Sequence, residues 1–222
     1  MLHRMAGERE PVSAVIGDVV GSRRSADRAR LQAAIRRALA AADARAPGIH
    51  PLAGTVGDEF QGLYRSVASA LTATLVVRLT LRATADVRFG VGFGTLTAHE
   101  PRRWPFEQDG PAWWSAREAV DQAKRVPEQR ESPRNLRTVF ATAEPDPRLE
   151  GAVNAFLVGR DELVGRMDER DAAILLGSYD GLALSEVAAT LGITPSAASQ
   201  RAIGRGVYAV LRSHRHIEAA FG

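Results

Sequence analysis

The order of secondary-structure patterns along the chain constrains its fold most. Up to residue 142, short runs rich in β-branched residues alternate with Ala- and Leu-rich stretches of helical periodicity, and only helical patterns follow. The predicted strands are 12–20, both arms of a hairpin over 51–64, 86–96 and 136–142, separated by predicted helices at 27–44, 67–82 and 112–125. Further helices are predicted at 149–165, 168–177, 184–191 and 195–213. This order is typical of an α+β protein in which an α/β sandwich precedes a small all-helical domain.

The stretch Glu144-Pro145-Asp146-Pro147 marks the predicted boundary between these two parts. Neither a strand nor a helix continues through two prolines that lie this close together. We therefore expect one domain over residues 1–145 and a second over residues 146–222. A length of 222 residues leaves room for one domain of ordinary size with a small module beside it.

Composition narrows the possible functions. The chain has no cysteine, which excludes disulfides and thiolate metal sites and fits a cytoplasmic location. No apolar stretch reaches the ~20 residues that a membrane span needs, so we expect no membrane partner. The net charge is only +3, but the basic charge is concentrated locally. Between Glu186 and Glu218 there is no acidic residue, whereas Arg201, Arg205 and Arg212 all fall in this window.

Two aspartates, Asp18 and Asp58, each stand in a short motif that contains glycine. The first motif is Val-Ile-Gly-Asp-Val-Val-Gly-Ser-Arg over 15–23, and the second is Thr-Val-Gly-Asp-Glu-Phe-Gln over 55–61. An apolar run that ends at Asp, followed by glycine and a helix, provides a hard oxygen ligand, close backbone approach and N–H groups for an anion. Asp58 on a neighbouring strand would complete a site with two metal ions roughly 4 Å apart around a phosphoryl group.

Each aspartate by itself also fits a simpler role. Asp18 fits a polar strand end or a helix cap, and Asp58 fits a turn residue; the two motifs together favour a metal or nucleotide site. In a later predicted strand, Gly90, Gly92 and Gly94 indicate close approach of another backbone or of a ligand.

Residues 12–125 resemble the catalytic core of class III nucleotidyl cyclases. The likeness lies in Ile-Gly-Asp-Val-Val-Gly-Ser-Arg at 16–23, Thr-Val-Gly-Asp at 55–58 and Val-Arg-Phe-Gly-Val-Gly-Phe-Gly at 87–94. Gly-Asp-Glu-Phe at 57–60 is also similar to the hairpin signature of diguanylate cyclases, whose core fold is related. The resemblance implies a ferredoxin-like (nucleotidyl cyclase-like) α/β sandwich. It further implies Mg²⁺ or Mn²⁺ with a purine nucleotide as ligands, and a homodimer that forms the site at its interface.

The same resemblance implies roles for individual residues. Asp18 and Asp58 would hold the metal, helped by the backbone carbonyl of Val19. The phosphates would meet a second set of residues: Gly21, Ser22, Arg23, Gly57 and Glu59.

The helix predicted at 112–125 departs from the cyclase pattern. Trp114 stands about where the family has an asparagine, and Arg117, the candidate catalytic residue, lies one position out of step with the family's transition-state arginine. Lys124 is the only lysine of the chain and does not match the family's base-reading lysine. A degenerate domain of this kind is expected to bind a nucleotide without turning it over. Trp113 and Trp114 point in different directions on a helix, so at most one faces a ligand, and core or interface positions are expected for them.

The segment 184–201 has the pattern of a helix-turn-helix. Gly192 permits a left-handed turn residue, Thr194 caps the second helix, and Pro195 occupies the first helical position. The recognition helix is predicted over 195–211. The simpler alternative is a helical hairpin that only packs or dimerises.

In a helix-turn-helix, the first residues of the second helix meet base edges, and basic residues further on lie along phosphates. The DNA contacts are accordingly expected from Ser196, Ser199, Gln200, Arg201, Arg205 and Arg212. From Asp168 onward, this part of the chain resembles the fourth region of sigma factors and related regulators. That resemblance implies a promoter DNA duplex as a partner.

Over nearly its full length the chain resembles the SatD family. The resemblance rests on Gly-Asp-Val-Val-Gly-Ser-Arg, Gly-Asp-Glu-Phe-Gln and Ile-Thr-Pro-Ser-Ala-Ala-Ser-Gln. The sequence thus predicts a cytoplasmic, homodimeric DNA-binding transcription regulator whose degenerate cyclase-like domain senses a purine nucleotide with Mg²⁺. Two alternatives remain open: an active nucleotidyl cyclase with a helical accessory module, and a DNA-binding protein whose N-terminal half only dimerises.

Overall fold

The computed structural model describes residues 10–22, 27–55, 57–97, 109–126 and 133–222. Within these ranges the chain is a mixed α+β protein with a five-stranded sheet and eight helices. The strands are β1 Val12–Val19, β2 His50–Gly54, β3 Glu59–Tyr64, β4 Val87–Gly94 and β5 Thr138–Thr142. The helices are α1 Arg28–Arg45, α2 Val67–Leu81, α3 Pro111–Arg125, α4 Pro147–Gly165, α5 Glu169–Tyr179, α6 Leu184–Thr190, α7 Pro195–Gly204 and α8 Val207–Phe221. All the elements predicted before residue 145 are present, with their ends shifted by a few residues.

The strand order places the end of β1 beside the start of β3. The sheet has the order β2-β3-β1-β4-β5. β1 is antiparallel to both β3 and β4, β2 is antiparallel to β3, and β5 is parallel to β4. Consequently the two aspartate motifs lie side by side at one edge of the sheet, where the central strand β1 ends and the neighbouring strand β3 begins.

Helices cover both faces of the sheet. On one face, Val15 and Val19 of β1 share a hydrophobic cluster with apolar residues of α1 and α2. On the other face, Ala14 and Ile16 pack against α3. Because side chains alternate along a strand, Asp18 lies on the same face as Ile16 and therefore faces α3.

Helix α3 lies directly on β4 because glycines leave room for it. A Cβ atom at Gly90 would stand 2.1 Å from the carbonyl oxygen of Ala116, and one at Gly92 would stand 2.2 Å from that of Ala112. Both distances are far inside van der Waals contact. The close approach that these glycines indicate is therefore an approach to the backbone of α3.

The prediction of a single recognition helix over 195–211 is wrong. α7 ends at Gly204 and α8 begins at Val207. Between them Gly206 adopts a left-handed φ of 73°, which ends an α-helix. Arg212 therefore lies on α8 and not on α7.

The C-terminal helices share their core with the sheet part. Leu75 and Leu79 of α2 lie in one hydrophobic cluster with residues of α5, α6, α7 and α8. Leu157 of α4 in turn lies in the cluster beneath the sheet. The chain changes from strands to helices near residues 145 and 146, as predicted, and the division into two domains there stays a prediction.

Candidate functional site

A row of charged side chains crosses the α3 face of the sheet where β1 ends. In the strand register, Asp18 is the Cα partner of Glu59 on β3 and of Arg88 on β4. Side chains of directly opposed residues on antiparallel strands lie on the same face. Glu59, Asp18 and Arg88 therefore stand side by side, and Arg117 and Lys124 of α3 reach Glu59 and Asp18, respectively, from the helix.

Asp18 and Asp58 are close enough to interact electrostatically. Burial is the main cause that raises the pKa of Asp18 above its ordinary 3.8, while Lys124 opposes the rise and the negative charge of Asp58 adds to it. The two carboxylates thus lie in one electrostatic environment, which a shared cation site requires. Their role as metal ligands stays a prediction.

Contacts between the two loops hold the aspartate motifs together. The Ser22 hydroxyl donates a hydrogen bond to the Asp58 carboxylate, and the Val19 N–H donates to the Asp58 carbonyl oxygen at 3.4 Å. Gly21 and Gly57 have left-handed φ angles of 69° and 78°, which residues with a side chain rarely adopt. Ser22 therefore contacts a predicted metal ligand directly. The phosphate contacts expected of Gly21 and Gly57 stay predictions.

Val19 and Arg23 complete the predicted metal and phosphate contacts. The Val19 side chain is buried in the core, so only its backbone is available to a metal, as the cyclase resemblance implies. Arg23 lies outside the described residues.

The start of α1, where free N–H groups are expected, is capped by the chain itself: the Arg30 N–H donates to the Asp27 carboxylate at 2.8 Å. That N–H group is therefore already used.

Arg117 makes the best-defined contact of the site. Its guanidinium donates two hydrogen bonds to the Glu59 carboxylate, at 2.7 and 2.8 Å, and the Gln61 side chain donates a third at 3.0 Å. The hydrogen bond from Arg117 is the main cause that lowers the pKa of Glu59, although burial opposes it. Because a carboxylate repels a phosphate, Glu59 is better suited to position Arg117 than to contact phosphates itself.

Two cations near Asp18 are absent from the sequence-based site. The Lys124 Nζ lies 3.9 Å from one Asp18 carboxylate oxygen, and an Arg88 guanidinium nitrogen lies 3.8 Å from the other. Both distances exceed a hydrogen bond, so these cations offset the charge of Asp18 without being fixed to it. Lys124 could have been found from its position at i+7 after Arg117, on the same helix face. Arg88 is evident only once the strand register is known.

The donor set fits Mg²⁺ if phosphates supply further ligands. Within the five ranges that the structure describes, no group of three or more His, Cys, Asp or Glu side chains is arranged to hold a metal ion. Mg²⁺ does not need such a group, since one or two carboxylates usually hold it together with water and substrate phosphates. Asp18 and Asp58 meet that requirement. Arg88, Lys124 and Arg117 supply the positive charge that a polyphosphate would need beside them.

The adjacent tryptophans of α3 have different environments. Trp113 is 8% exposed and lies in the cluster between α3 and the sheet, whereas Trp114 is 60% exposed. This difference agrees with the expectation that the two point in different directions. Only Trp114 is accessible to a ligand or a partner.

Helices α6 and α7 form a pair joined by a short turn over 191–194. Gly192 has a left-handed φ of 64°, the Thr194 hydroxyl accepts a hydrogen bond from the Ala197 N–H at 3.1 Å, and Pro195 is the first residue of α7. The roles predicted for Gly192, Thr194 and Pro195 are thereby confirmed. The glycine and the cap together fix a sharp change of direction between the two helices.

The residues expected to contact DNA differ in their surroundings. Four of them are exposed: Ser196, Gln200, Arg205 and Arg212. Ser199 is half-buried, and Arg201 donates to the Asp168 carboxylate and, at 2.9 Å, to that of Asp171. Arg201 therefore joins α7 to the start of α5, a structural role that the sequence did not indicate. The DNA contacts of all six residues stay predictions.

The structure thus defines a mixed α+β protein in which Asp18, Glu59 and three cations lie on the α3 face of the sheet, with Asp58 in the turn beside them. None of the helices in the described part of the chain has both the length and the apolar character needed to cross a membrane. The sequence model of the SatD family matches residues 12–220. The chain belongs to the SatD family. A search of the curated proteins gives no match.

Proposed function

We propose that this protein is a cytoplasmic DNA-binding transcription regulator whose degenerate nucleotidyl cyclase-like domain binds a purine nucleotide with Mg²⁺ or Mn²⁺. The observation that carries the proposal is the mixed charge at the end of β1. Asp18 and Asp58 are carboxylates suited to a hard cation, and Arg117 and Lys124 are cations suited to phosphates. A metal–polyphosphate complex presents both kinds of charge at once.

The sheet topology supports the cyclase-like part of the proposal. The first four strands have the order β2-β3-β1-β4, and each is antiparallel to its neighbours. α1 connects β1 to β2, and α2 connects β3 to β4. This is the β-α-β-β-α-β arrangement of a ferredoxin-like core. In that topology the end of β1 and the turn before β3 are neighbours. The two aspartate motifs therefore converge because of the fold and not by chance of a loop.

The α6–α7 pair supports the DNA-binding part. α7 starts with a capped, proline-led turn and presents Ser196 and Gln200 to solvent. In a helix-turn-helix these positions meet base edges in the major groove. Arg212 on α8 is exposed in a segment without acidic residues and suits a phosphate contact.

Coupling between the two parts requires the nucleotide to favour one arrangement of the recognition helices over another. In a homodimer, the two copies of α7 have to match half-sites about one DNA turn apart. α2 packs against both the sheet and the C-terminal helices, so a change at the sheet has a direct physical route to α7 and α8.

Isothermal titration of the purified protein with ATP and with GTP tests nucleotide binding. Each titration is done first in the presence of Mg²⁺ and then with EDTA, which removes the metal. We expect binding that is lost when Mg²⁺ is removed, and no cyclic product on prolonged incubation. Arg117 beside the carboxylates favours an active nucleotidyl cyclase as the second candidate, and cyclic product would establish it. Absence of binding under both conditions would contradict the proposed site and leave the N-terminal half as a dimerisation domain.

Gln200→Ala and Arg212→Ala are expected to affect DNA binding in different ways. On a duplex selected from a random pool by the wild-type protein, Gln200→Ala should lose about 1–3 kcal/mol of affinity and relax the base preference at one position. Arg212→Ala should weaken binding to all duplexes alike. It should also reduce the slope of log affinity against log salt concentration by about one, because one phosphate contact is lost. Gel shifts at several salt concentrations measure both effects.

Exposed Arg36 on α1 provides the matched control for the DNA experiment. Arg36→Ala removes the same charge from the sheet part and should leave the affinity within about two-fold, since this helix is not expected at the DNA. Arg201 is a poor test residue, because its ion pairs with Asp168 and Asp171 would be lost as well. Equal effects of Arg36→Ala and Arg212→Ala, with none from Gln200→Ala, would remove α7 and α8 from the DNA interface.

A further inference from the structure

Trp114 is an exposed aromatic residue that the proposed site does not yet use. Its side chain is 60% exposed near the start of α3, and its indole Nε1 donates a hydrogen bond to the Asp109 carboxylate at 2.6 Å. That bond satisfies the polar edge of the indole and restricts its rotation. Tryptophan is enriched at binding interfaces, because its ring is apolar at one end and polar at the other.

The position of Trp114 relates it to the charged row. Trp114 precedes Arg117 by three residues, so both lie on the same face of α3. Arg117 contacts Glu59, and further along the helix Lys124 approaches Asp18. From its N-terminus, α3 thus presents an aromatic ring, a guanidinium and an ammonium group in that order. The rise from Trp114 to Lys124 is about 15 Å, a length that an extended nucleoside triphosphate spans.

We propose that Trp114 stacks on the base of the nucleotide whose phosphates lie at Arg117 and Lys124. The inference rests on the proposed function and deepens it, because it assigns the recognition of the base. Stacking of a base on an aromatic side chain is tolerant of base identity and strongest for large ring systems, which fits a purine. Trp114 stands about where the cyclase pattern has an asparagine. With this role, the residue at that position binds the base and does not take part in turnover.

A second copy of this chain is the competing occupant of the Trp114 surface. The nucleotide is favoured because Trp114 shares a helix face with Arg117, whose guanidinium already holds the Glu59 carboxylate and suits a phosphate, while the acids Glu118 and Asp121 also lie on α3. A polyphosphate would meet Arg117 and Lys124 along the same helix, whereas a second copy at this surface would be detected as a change of oligomeric state.

Titrations of Trp114→Leu with Mg²⁺–ATP, Mg²⁺–GTP and Mg²⁺–tripolyphosphate test the inference. The variant should bind the nucleotides between about 5-fold and 150-fold more weakly than the wild type, because stacking on the base is lost. Its affinity for tripolyphosphate, which has no base, should stay within about two-fold. Trp114→Phe keeps an aromatic face and should recover most of the nucleotide affinity.

Fluorescence provides an independent measurement. In a Trp104→Phe, Trp113→Phe background, Trp114 is the remaining tryptophan, and its emission should be quenched by Mg²⁺–ATP or Mg²⁺–GTP but not by Mg²⁺–tripolyphosphate. Full nucleotide affinity in Trp114→Leu would overturn the role of Trp114 and leave the proposed metal site intact. A changed sedimentation coefficient of Trp114→Leu with unchanged nucleotide affinity would overturn it in favour of a dimer contact. A wild-type protein that binds neither nucleotide nor tripolyphosphate would overturn the proposed function together with this inference.

Discussion

Replacing Asp18 with Asn is expected to weaken Mg²⁺-dependent binding of ATP or GTP by at least about 100-fold, equivalent to roughly 2.7 kcal/mol. Asn keeps the shape of Asp18 but loses the anionic oxygen that a hard cation prefers. In the free protein, the change removes attraction to Lys124 and Arg88, and it also removes repulsion from Asp58 and Glu59. These effects oppose each other, so the melting temperature should change by less than about 4 °C. Isothermal titration and thermal melts measure the two quantities.

Asp180→Asn is the matched control for Asp18→Asn. Asp180 is also a partly exposed, ion-paired aspartate, but it pairs with Arg45 at the end of α1, on the opposite side of the sheet from α3. Its substitution should leave nucleotide binding unchanged. If Asp18→Asn and Asp180→Asn bind Mg²⁺–nucleotide equally well, Asp18 is not a metal ligand.

Asp161→Ala should cause the largest loss of stability, about 3–5 kcal/mol. The Asp161 carboxylate is fully buried; it accepts hydrogen bonds from Arg160 at 3.0 Å and from the backbone N–H groups of Arg137 and Thr138 at 2.8 Å, and it lies 3.1 Å from Arg78. Without it, the buried Arg160 guanidinium loses its counter-charge and Arg78 is left with Asp86 at 3.4 Å, so the melting temperature should fall by at least about 6 °C.

The effect of Asp161→Ala should depend on pH. Burial opposes ionisation of Asp161, but Arg160, Arg78 and the backbone N–H of Arg137 together hold its pKa below the ordinary 3.8. The stability that the carboxylate contributes is therefore fully present above about pH 3.8 and decreases as the pH falls further. Melts of both proteins from pH 7 downward should converge below that value. The exposed pair is again the control, because Asp180→Asn should cost about 1 kcal/mol or less. A loss for Asp161→Ala no larger than that would contradict the buried network.

Local sequence patterns predicted most of the sheet and the convergence of the two motifs. Apolar runs that end at Asp18 and precede Asp58 define β1 and the turn before β3, and the left-handed Gly21 and Gly57 are where turns were expected. The Thr194 cap and Gly192 likewise identified the α6–α7 turn. These features depend on residues close together in the chain, so a single sequence contains them.

Features that depend on tertiary contacts were not predictable in this way. The approach of Arg88 to Asp18 follows from the register of two strands, and the pairing of Arg201 with Asp168 joins segments that are distant in sequence. The buried Arg160–Asp161 pair occupies a place in α4 where composition alone would suggest solvent exposure. The break at Gly206 was missed because glycines within a helical pattern are often tolerated, although two of them, Gly204 and Gly206, lie only two residues apart here.

The central claim is that nucleotide binding changes DNA binding. The most direct test is to measure, by fluorescence anisotropy, the affinity of the protein for its selected DNA duplex with and without Mg²⁺–ATP or Mg²⁺–GTP. We expect the nucleotide to change the DNA affinity of the wild-type protein by at least about 5-fold, in either direction. The DNA affinity of Asp18→Asn should not change when the nucleotide is added. The same DNA affinity in the presence and absence of a nucleotide that titration shows to be bound would contradict the central claim.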